Sequence, residues 1–414
     1  MTTRPALPVL SVGVLITGNL VGAGILALPI NTGLSGFGVA VVLMLVFWVL
    51  MLTTARILAD RVLATRQESF DLPSLFGESL GPAGRWVAVA ANLLILYGLM
   101  VAYLSGGTAI IASLLDLAIP QWVLTLLFFA FTTGFALFGA AMVRKGNVLL
   151  MLGMWGAFLV LILLAAPRIT AANLAFVDLA LIPSALPIMI AAFHFHNIIP
   201  TACRSLQYDR RAVGRALLLG TTLGAVMNGL WVLVALGALP VTGPGERNIL
   251  HAFDNGLPAT VPLSAVIDST AFTVGGLLFA ILAITTSYLT NATALQGFVQ
   301  DMTGGLRARP SRVRDALITF GPPLVVTLVY PDLFLKALDL VAGVGIALLF
   351  GILPGVLLIK GGKTPRARRW GALIVACFLV VLLFEICQEV GVLRIDADAE
   401  LWKAGLQMTG EHAR

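Results

Sequence analysis

The sequence predicts an all-α polytopic membrane protein of 11 transmembrane helices, arranged as a 5+5 inverted repeat in which helices 1 and 6 are discontinuous, plus one extra helix. Three observations predict it. The chain is 59% hydrophobic and only 11% charged, with a mean hydropathy of +0.99, whereas a soluble domain carries about 25% charged residues. Apolar runs of about 20 residues, long enough to cross a hydrocarbon core about 30 Å thick, recur along the whole chain; barrel strands would alternate over about 10 residues instead. Basic residues collect in every second connection, as insertion with Lys and Arg on the cytoplasmic side demands.

Helix 1, at roughly 8–30, follows Arg4; its apolar stretch runs on to Ile30 with no AxA site, so it reads as a retained span and not a cleaved signal. Helix 2, roughly 36–59, is set off by "NTGLSG" and followed by Arg61, Arg66 and Arg85, and helix 3, roughly 86–115, ends at "LAIPQ". Helix 4, roughly 121–141, precedes Arg144 and Lys145, and helix 5 spans roughly 147–167. Helix 6, roughly 182–207, is followed by Arg204, Arg210, Arg211 and Arg215; helix 7 covers roughly 212–238. Helix 8, roughly 266–299, leads into Arg307, Arg309, Arg312 and Arg314. Helices 9 and 10, roughly 315–331 and 333–359, precede Lys360, Lys363, Arg366, Arg368 and Arg369, and helix 11 is expected at roughly 371–391. The N-terminus is therefore expected in the cytoplasm and the tail "RIDADAELWKAGLQMTGEHAR" outside. Residues 1–414 form a single domain, with repeat 1 over about 8–167, repeat 2 over about 182–359 and the extra helix at about 371–391. The net charge of +6 is a topology signal and implies no nucleic acid partner. Segments at about 60–84 and 240–264 are long enough for short amphipathic helices. Cys203, Cys377 and Cys387 have no metal or disulfide spacing.

Two spans contain breakers at matching positions of the two halves. Helix 1 reads "VLITGNLVGAGILALPI", with Gly18, Asn19, Gly22 and Gly24 near the midplane; helix 6 is interrupted from Phe193 to Pro200. Gly18 and Gly22 also form a GxxxG, which serves tight helix packing. Yet paired interruptions in corresponding helices are the best sequence pointer to a secondary transporter's binding site. An unwound segment presents amide N–H groups at one half-helix end and carbonyls at the other. An amino acid supplies the complement, its carboxylate suiting the amides of Gly22, Ala23 and Gly24, its ammonium the carbonyl end.

His194 and His196, two residues apart, would point about 200° apart on a regular helix, so they cannot share a metal by helical geometry, and an HExxH-like site is unsupported. Either ring caps freed backbone or faces the central cavity, since ionisable groups at that depth mark a pathway. Phe193 and Phe195 interleave with them and offer ring faces to an aromatic ligand; Asn197 adds an amide. On helix 3, Tyr103 is favoured over Tyr97 for reaching the cavity. Lys336 and Asp339, at i and i+3, read as an interfacial ion pair near the outer end of helix 10, and Glu385 and Glu389 as reaching the outer surface.

The blocks "GNLVGAGILALP", "YGLMVAYLSG", "SALPIMIAAFHFHNIIPT", "ALLLGTTLGAVMNGLWVLVALG" and "ITFGPPLVVTLVYPDLFLKAL" resemble, in order, those of the bacterial tryptophan/tyrosine permease family, the hydroxy and aromatic amino acid permeases. The resemblance implies the five-plus-five fold of the amino acid, polyamine and organocation transporters and symport of an amino acid with a cation in the bacterial inner membrane. The family typically has glycine where this chain has His194 and Asn197, so the substrate can differ from tryptophan or tyrosine. Sodium-coupled members of this fold set helix 8 hydroxyls against carbonyls of unwound helix 1; here these are Thr286 and Ser287 with Gly18 and Val21. Hard oxygen ligands suit an alkali ion. Proton-coupled relatives can place a lysine from helix 5 there, and this helix 5, "VLLMLGMWGAFLVLILLAA", has no ionisable residue, which favours sodium. Against it stand the two histidines, whose unperturbed pKa of about 6.5 suits proton traffic, and proton symport as the family's usual habit.

The expected function is import of a neutral, aromatic amino acid with a coupling cation and no cofactor. A small neutral or hydroxy amino acid carried with a proton is the alternative. An intramembrane enzyme using His194 or His196 lacks a nucleophile or metal partners in the sequence, and a channel lacks a continuous polar pore.

Overall fold

The computed structural model describes residues 7–65, 72–115, 119–138, 140–243, 245, 247–304 and 312–392. Arg4, Arg66, Arg307, Arg309 and the tail from residue 394 lie outside the described residues. Among the described residues every regular element is helical. The first span is α1 (Leu7–Leu20) and α2 (Ala23–Gly33), then come α3 (Phe37–Thr65), α4 (Leu72–Leu115), α5 (Gln121–Phe138) and α6 (Ala140–Ala165). A short α7 (Ala171–Ala175) leads to α8 (Ile182–Ala192) and α9 (Ile199–Ser205), and α10 (Arg210–Ala238) follows. The short α11 (Ile249–Asp254) and α12 (Thr260–Ile267) occupy the segment expected to hold such helices, ahead of α13 (Thr270–Gly304) and α14 (Arg312–Val329). The chain closes with α15 (Phe334–Leu340), a π-helical stretch Val341–Ile352, α16 (Leu353–Gly361) and α17 (Pro365–Glu389).

Among the described residues, 7 helices are long and apolar enough to cross a membrane, or 8 if the bent first pair is one span; Gln121–Leu137 and Leu152–Arg168 are shorter apolar helices. Their outward faces are apolar, with Val42, Leu45, Leu127, Phe131, Leu159, Leu163, Leu317, Val325, Leu379 and Leu383 all exposed. A water-facing surface of that kind is unstable; in a bilayer it is the lipid contact. The chain is a multi-pass membrane protein.

Local chemistry explains two boundaries that the sequence reading placed differently. α4 starts at Leu72 because a short first helix runs directly into the span, divided from it by Gly81 at φ +82 and then Pro82. Arg144 and Lys145 lie within α6, not in a connection, since "AAMVRKGN" contains good helix formers and no proline to stop it.

The interior is organised around α10, α13 and the span Phe334–Gly361. α1 packs along α10, α13 along α6 and α4, α4 against the π-helical stretch, and α17 along α16 and that same stretch. In the span Phe334–Gly361, 67% of the most apolar window is buried, against 28% in α17, so the first is central and the second peripheral. Close approaches depend on glycine. A Cβ at Gly220 of α10 would sit 2.6 Å from the Gly13 carbonyl oxygen and 2.6 Å from Ile16 Cβ of α1, and one at Gly351 would sit 2.2 Å from the Phe378 ring of α17.

Because the obstacle at Gly220 includes backbone, Gly220→Ala should destabilise the protein by about 1–3 kcal/mol, read as a lower melting temperature in detergent. Gly214→Ala on the same helix, whose added carbon meets nothing within 4 Å, should leave the melting temperature unchanged.

Candidate functional site

α1 ends at Leu20, and α2 restarts at Ala23 with its axis turned by 54°. Gly22, at φ −111 and ψ −153, is extended; glycine and the lack of a side-chain cap leave the first amides of α2 uncovered. The helix ladder survives on either side, with Val21 N–H donating to Thr17 O (3.0 Å) and Ile25 N–H to Gly22 O (3.2 Å). The Thr17 hydroxyl lies 3.0 Å from both Gly13 O and Gly220 O, tying the end of α1 to α10.

The second break lies beside the first. α8 stops at Ala192, Phe193 and Phe195 leave helical geometry, a single 3₁₀ turn covers His196–Ile198, and α9 begins with Pro200 in its first turn. The α-helical ladder is therefore interrupted between 192 and 199, where the sequence places a break, and tighter turn bonds remain from Phe193 N–H to Ile190 O, His194 N–H to Ala191 O and Ile198 N–H to Phe195 O. The freed carbonyl of Ala192 accepts from Asn228 Nδ2 of α10 at 3.1 Å. At Gly24 an added Cβ would lie 3.5 Å from the backbone of Ala191 and Ala192. The positive N-terminus of α2 is thus set against the C-terminus of α8.

A cavity of about 60 Å³ opens between these ends, lined among others by Asn19, Gly22, Gly24, Tyr103, His194 and Asn197. Ser287, Thr290 and Asn291 of α13 form its other polar wall, and Leu99, Leu338 and Ile346 its apolar one. Tyr103 and Ser287 both line it, and the Ser287 Oγ would lie 2.7 Å from a Cβ on Gly22. His194 Nε2 is buried with no hydrogen-bond partner. Asn197 and Thr290 are exposed, so the cavity reaches the surface past them. Away from that opening, Asn31 Nδ2 of α2 donates to both carboxylate oxygens of Asp339 on α15, at 3.0 and 2.9 Å.

Not every expected residue meets this cavity. Phe193 and Phe195 are buried in the apolar core. His196 turns to α3, its Nε2 2.9 Å from Thr54 Oγ1; with the Thr54 proton given to Met51 O at 3.1 Å, His196 donates from Nε2. The two imidazoles are not on opposite sides: their rings are parallel within 4°, 6.1 Å apart, and each centroid lies 5.0 Å from that of Phe350. The chain between them is not helical, so the helical angle does not apply. Ala23 lies in the first turn of α2 between two lining glycines.

Of the four residues expected around sodium, Gly18, Thr286 and Ser287 line a second cavity of about 80 Å³ with Asn19 and Thr290, while Val21 is fully buried and does not line it. The Thr286 hydroxyl donates within its own helix, to Leu282 O (2.8 Å) or Ala283 O (3.1 Å). Among the described residues no cluster of three His, Cys, Asp or Glu groups has the makings of a metal site. Sequence reasoning missed Asn228, Thr290 and Asn291. The signals were present: an asparagine in the apolar run "AVMNGLWVLV", and hydroxyl and amide groups three and four residues after Ser287 on the same helical face.

The chain can be set beside known proteins. The profile of the tryptophan/tyrosine permease family matches residues 7–392. The chain is 32% identical to the tyrosine-specific transport system 1 of Haemophilus influenzae over 381 residues, covering 90% of this chain and 94% of that one. It is 26% identical to the tryptophan-specific transport protein of Pseudomonas aeruginosa, covering 94% of both. Its fold resembles the crystal structure of MhsT in complex with L-phenylalanine, with a TM-score of 0.60 at 18% identity over 92% of this chain and 99% of that one. With a family match over nearly its whole length, the chain belongs to the tryptophan/tyrosine permease family and is a transport protein, not an enzyme.

Proposed function

We propose that the protein imports a neutral, aromatic amino acid across the bacterial inner membrane by symport with a cation. The observation that carries this reading is the pair of helix ends at the polar cavity: the uncovered amides of α2 beside the C-terminus of α8. A zwitterion complements both at once, its carboxylate on Gly22, Ala23 and Gly24 and its ammonium toward the carbonyl side. Irregular backbone at this depth is tolerated where it lines such a space.

Packing supports the eleven-span, five-plus-five arrangement. If α1–α2 through α6 repeat as α8–α9 through the span Phe334–Gly361, each contact should have a counterpart. α1 on α10 corresponds to α8 on α3, α4 on the π-helical stretch to α13 on α6, and α4 on α5 to α13 on α14. The cavity is exposed at Asn197 and Thr290, and we read that mouth as opening toward Arg204 of α9 and Arg210, Arg211 and Arg215 at the start of α10, the side that basic residues assign to the cytoplasm together with the N-terminus.

The cavity is small, at about 60 Å³, and binding of an amino acid that bears a ring is read as accompanied by helix movement that widens it. His194, with its unpartnered Nε2 at the cavity wall, is the side chain that narrows it. For the cation, the cavity at Gly18, Thr286 and Ser287 offers hard oxygens to sodium, Ser287 being the hydroxyl that faces Gly22.

Counterflow in proteoliposomes tests the function: preloaded unlabelled tyrosine, phenylalanine or tryptophan should drive accumulation of labelled ligand, and its absence for all twenty amino acids would end the transporter reading. Methyl esters of the transported amino acid should compete poorly, weaker by roughly tenfold or more, because the α2 amides then meet no anion; equal competition would remove the carboxylate from that place. His194→Gly should shift preference toward tryptophan by roughly tenfold in uptake efficiency, as pocket size sets discrimination of this order; an unchanged ratio would take His194 out of the pocket wall.

A further inference from the structure

A second polar group lies away from the cavity's open mouth, where α2, α15 and α17 meet. Lys336 and Asp339 do not pair with each other. Lys336 Nζ instead reaches Glu389 Oε2 of α17 at 3.5 Å, in a half-exposed position. One turn inward, Asp339 is held by Asn31, which is fully buried. Glu385 does not reach the surface. It is 3% exposed, packed so closely on α15's continuation that a Cβ at Gly343 would lie 2.7 Å from its Cγ and 3.0 Å from its carboxyl carbon. Gly343 is four residues after Asp339, on the same face, so the Glu385 carboxyl packs about one helical turn from Asp339.

Two buried oxygens here have no partner: Glu385 Oε2 and Asn31 Oδ1. Bare acceptors at this depth are expensive, and two neighbouring carboxylates repel in a medium that screens poorly. One proton relieves both problems. As a carboxylic acid a side chain becomes a donor, and Asn31 serves either form, giving its NH₂ to a carboxylate or, with the amide turned over, offering Oδ1 to the acid.

We propose that Asp339 and Glu385 form a proton-binding site in which one proton, taken from the outer solution, binds when α2 and α15 separate and is held when Asn31 joins them. The inference rests on the transporter reading and supplies it with a second cation. The reaction is simple addition of H⁺ to a carboxylate oxygen, with no other bond broken. The charged groups beside the pair are Lys336, three residues before Asp339 on α15, and Glu389, four residues after Glu385 on α17, which pair with each other. Among the described contacts the other elements add no charge: α2 presents Asn31, α8 presents Ser184, which donates to Asn31 O or Leu181 O, and α4 meets α15 and the π-helical stretch through Gly106 on Phe334 and Gly98 on Val341. Closing the outer side then takes up a proton, so uptake rises as the outer solution is acidified.

The test is uptake into proteoliposomes at fixed internal pH while the external pH is lowered from about 8 to about 5.5, bracketing the range in which buried carboxyl pairs exchange protons, in sodium and in choline media. The parent should speed up by roughly tenfold or more in both media, while Glu385→Gln and Asp339→Asn, which mimic the protonated acids, should vary by less than about twofold. A parent whose uptake follows sodium and ignores external pH overturns the proposal, as does a variant with the parent's pH profile. Counterflow at constant pH reports whether each variant is folded, and a parent without counterflow fails the transporter reading instead. If both variants lose counterflow, the decision passes to the parent, titrated with substrate by calorimetry in two buffers of different ionisation enthalpy. A heat that changes with buffer supports proton linkage; an identical heat overturns it.

Discussion

Everything in this fold depends on how two interruptions of hydrogen bonding are accommodated within the membrane. Hydrocarbon offers no partner to a freed amide or carbonyl, so a broken span survives only beside groups that replace the lost ladder. Here the two breaks are placed together and share a supporting set from three other helices. Asn228 of α10 takes the Ala192 carbonyl, Thr17 joins the end of α1 to the Gly220 carbonyl of the same helix, and Ser287 of α13, at the cavity wall with Tyr103 of α4, closes on Gly22. The amides at the start of α2 are left facing a cavity. The same constraint that makes the breaks costly makes the place where they meet polar, enclosed and suited to a charged ligand.

The remaining architecture holds that junction from two sides. On one, the glycine contacts of α1 with α10 and of the π-helical stretch with α4 and α17 bring helices together by leaving one side of each contact without a side chain. A π-helical stretch is commonly found at functional positions, and this one carries Ile346 at the cavity and Phe350 against both histidines. On the other, α5, α6, α14 and α17 turn apolar faces outward and act as the lipid boundary. Asn197 and Thr290 leave the cavity open at one end, while the Asn31–Asp339 bond ties α2 to α15 away from that opening.

Composition and pattern determined the class of protein. A chain so short of charge cannot fold in water, and apolar runs of membrane length fix helices as its only regular structure. The positions of the two breaks were legible too, because Gly22 and Pro200 act through the local backbone, although Gly18 and Asn19, expected in the first break, stay helical at the end of α1. What the sequence left undecided was where a side chain goes once the helix ends. His194 and His196 were read on a helical wheel, yet Phe193–Phe195 is not helical, so both rings meet Phe350 while only His194 reaches the cavity, and the two phenylalanines turn into the core. Asn228 was silent because its partner, the Ala192 carbonyl, exists only when α10 lies beside the end of α8. Glu385 was placed at the surface by its distance from the end of α17; the bare face of Gly343, contributed by another helix, is what buries it. Periodicity and breakers act within a few residues and can be read along the chain. Hydrogen-bond partners, burial and the approach of carboxyl groups are set by contacts between distant segments, and only the packed helices decide them.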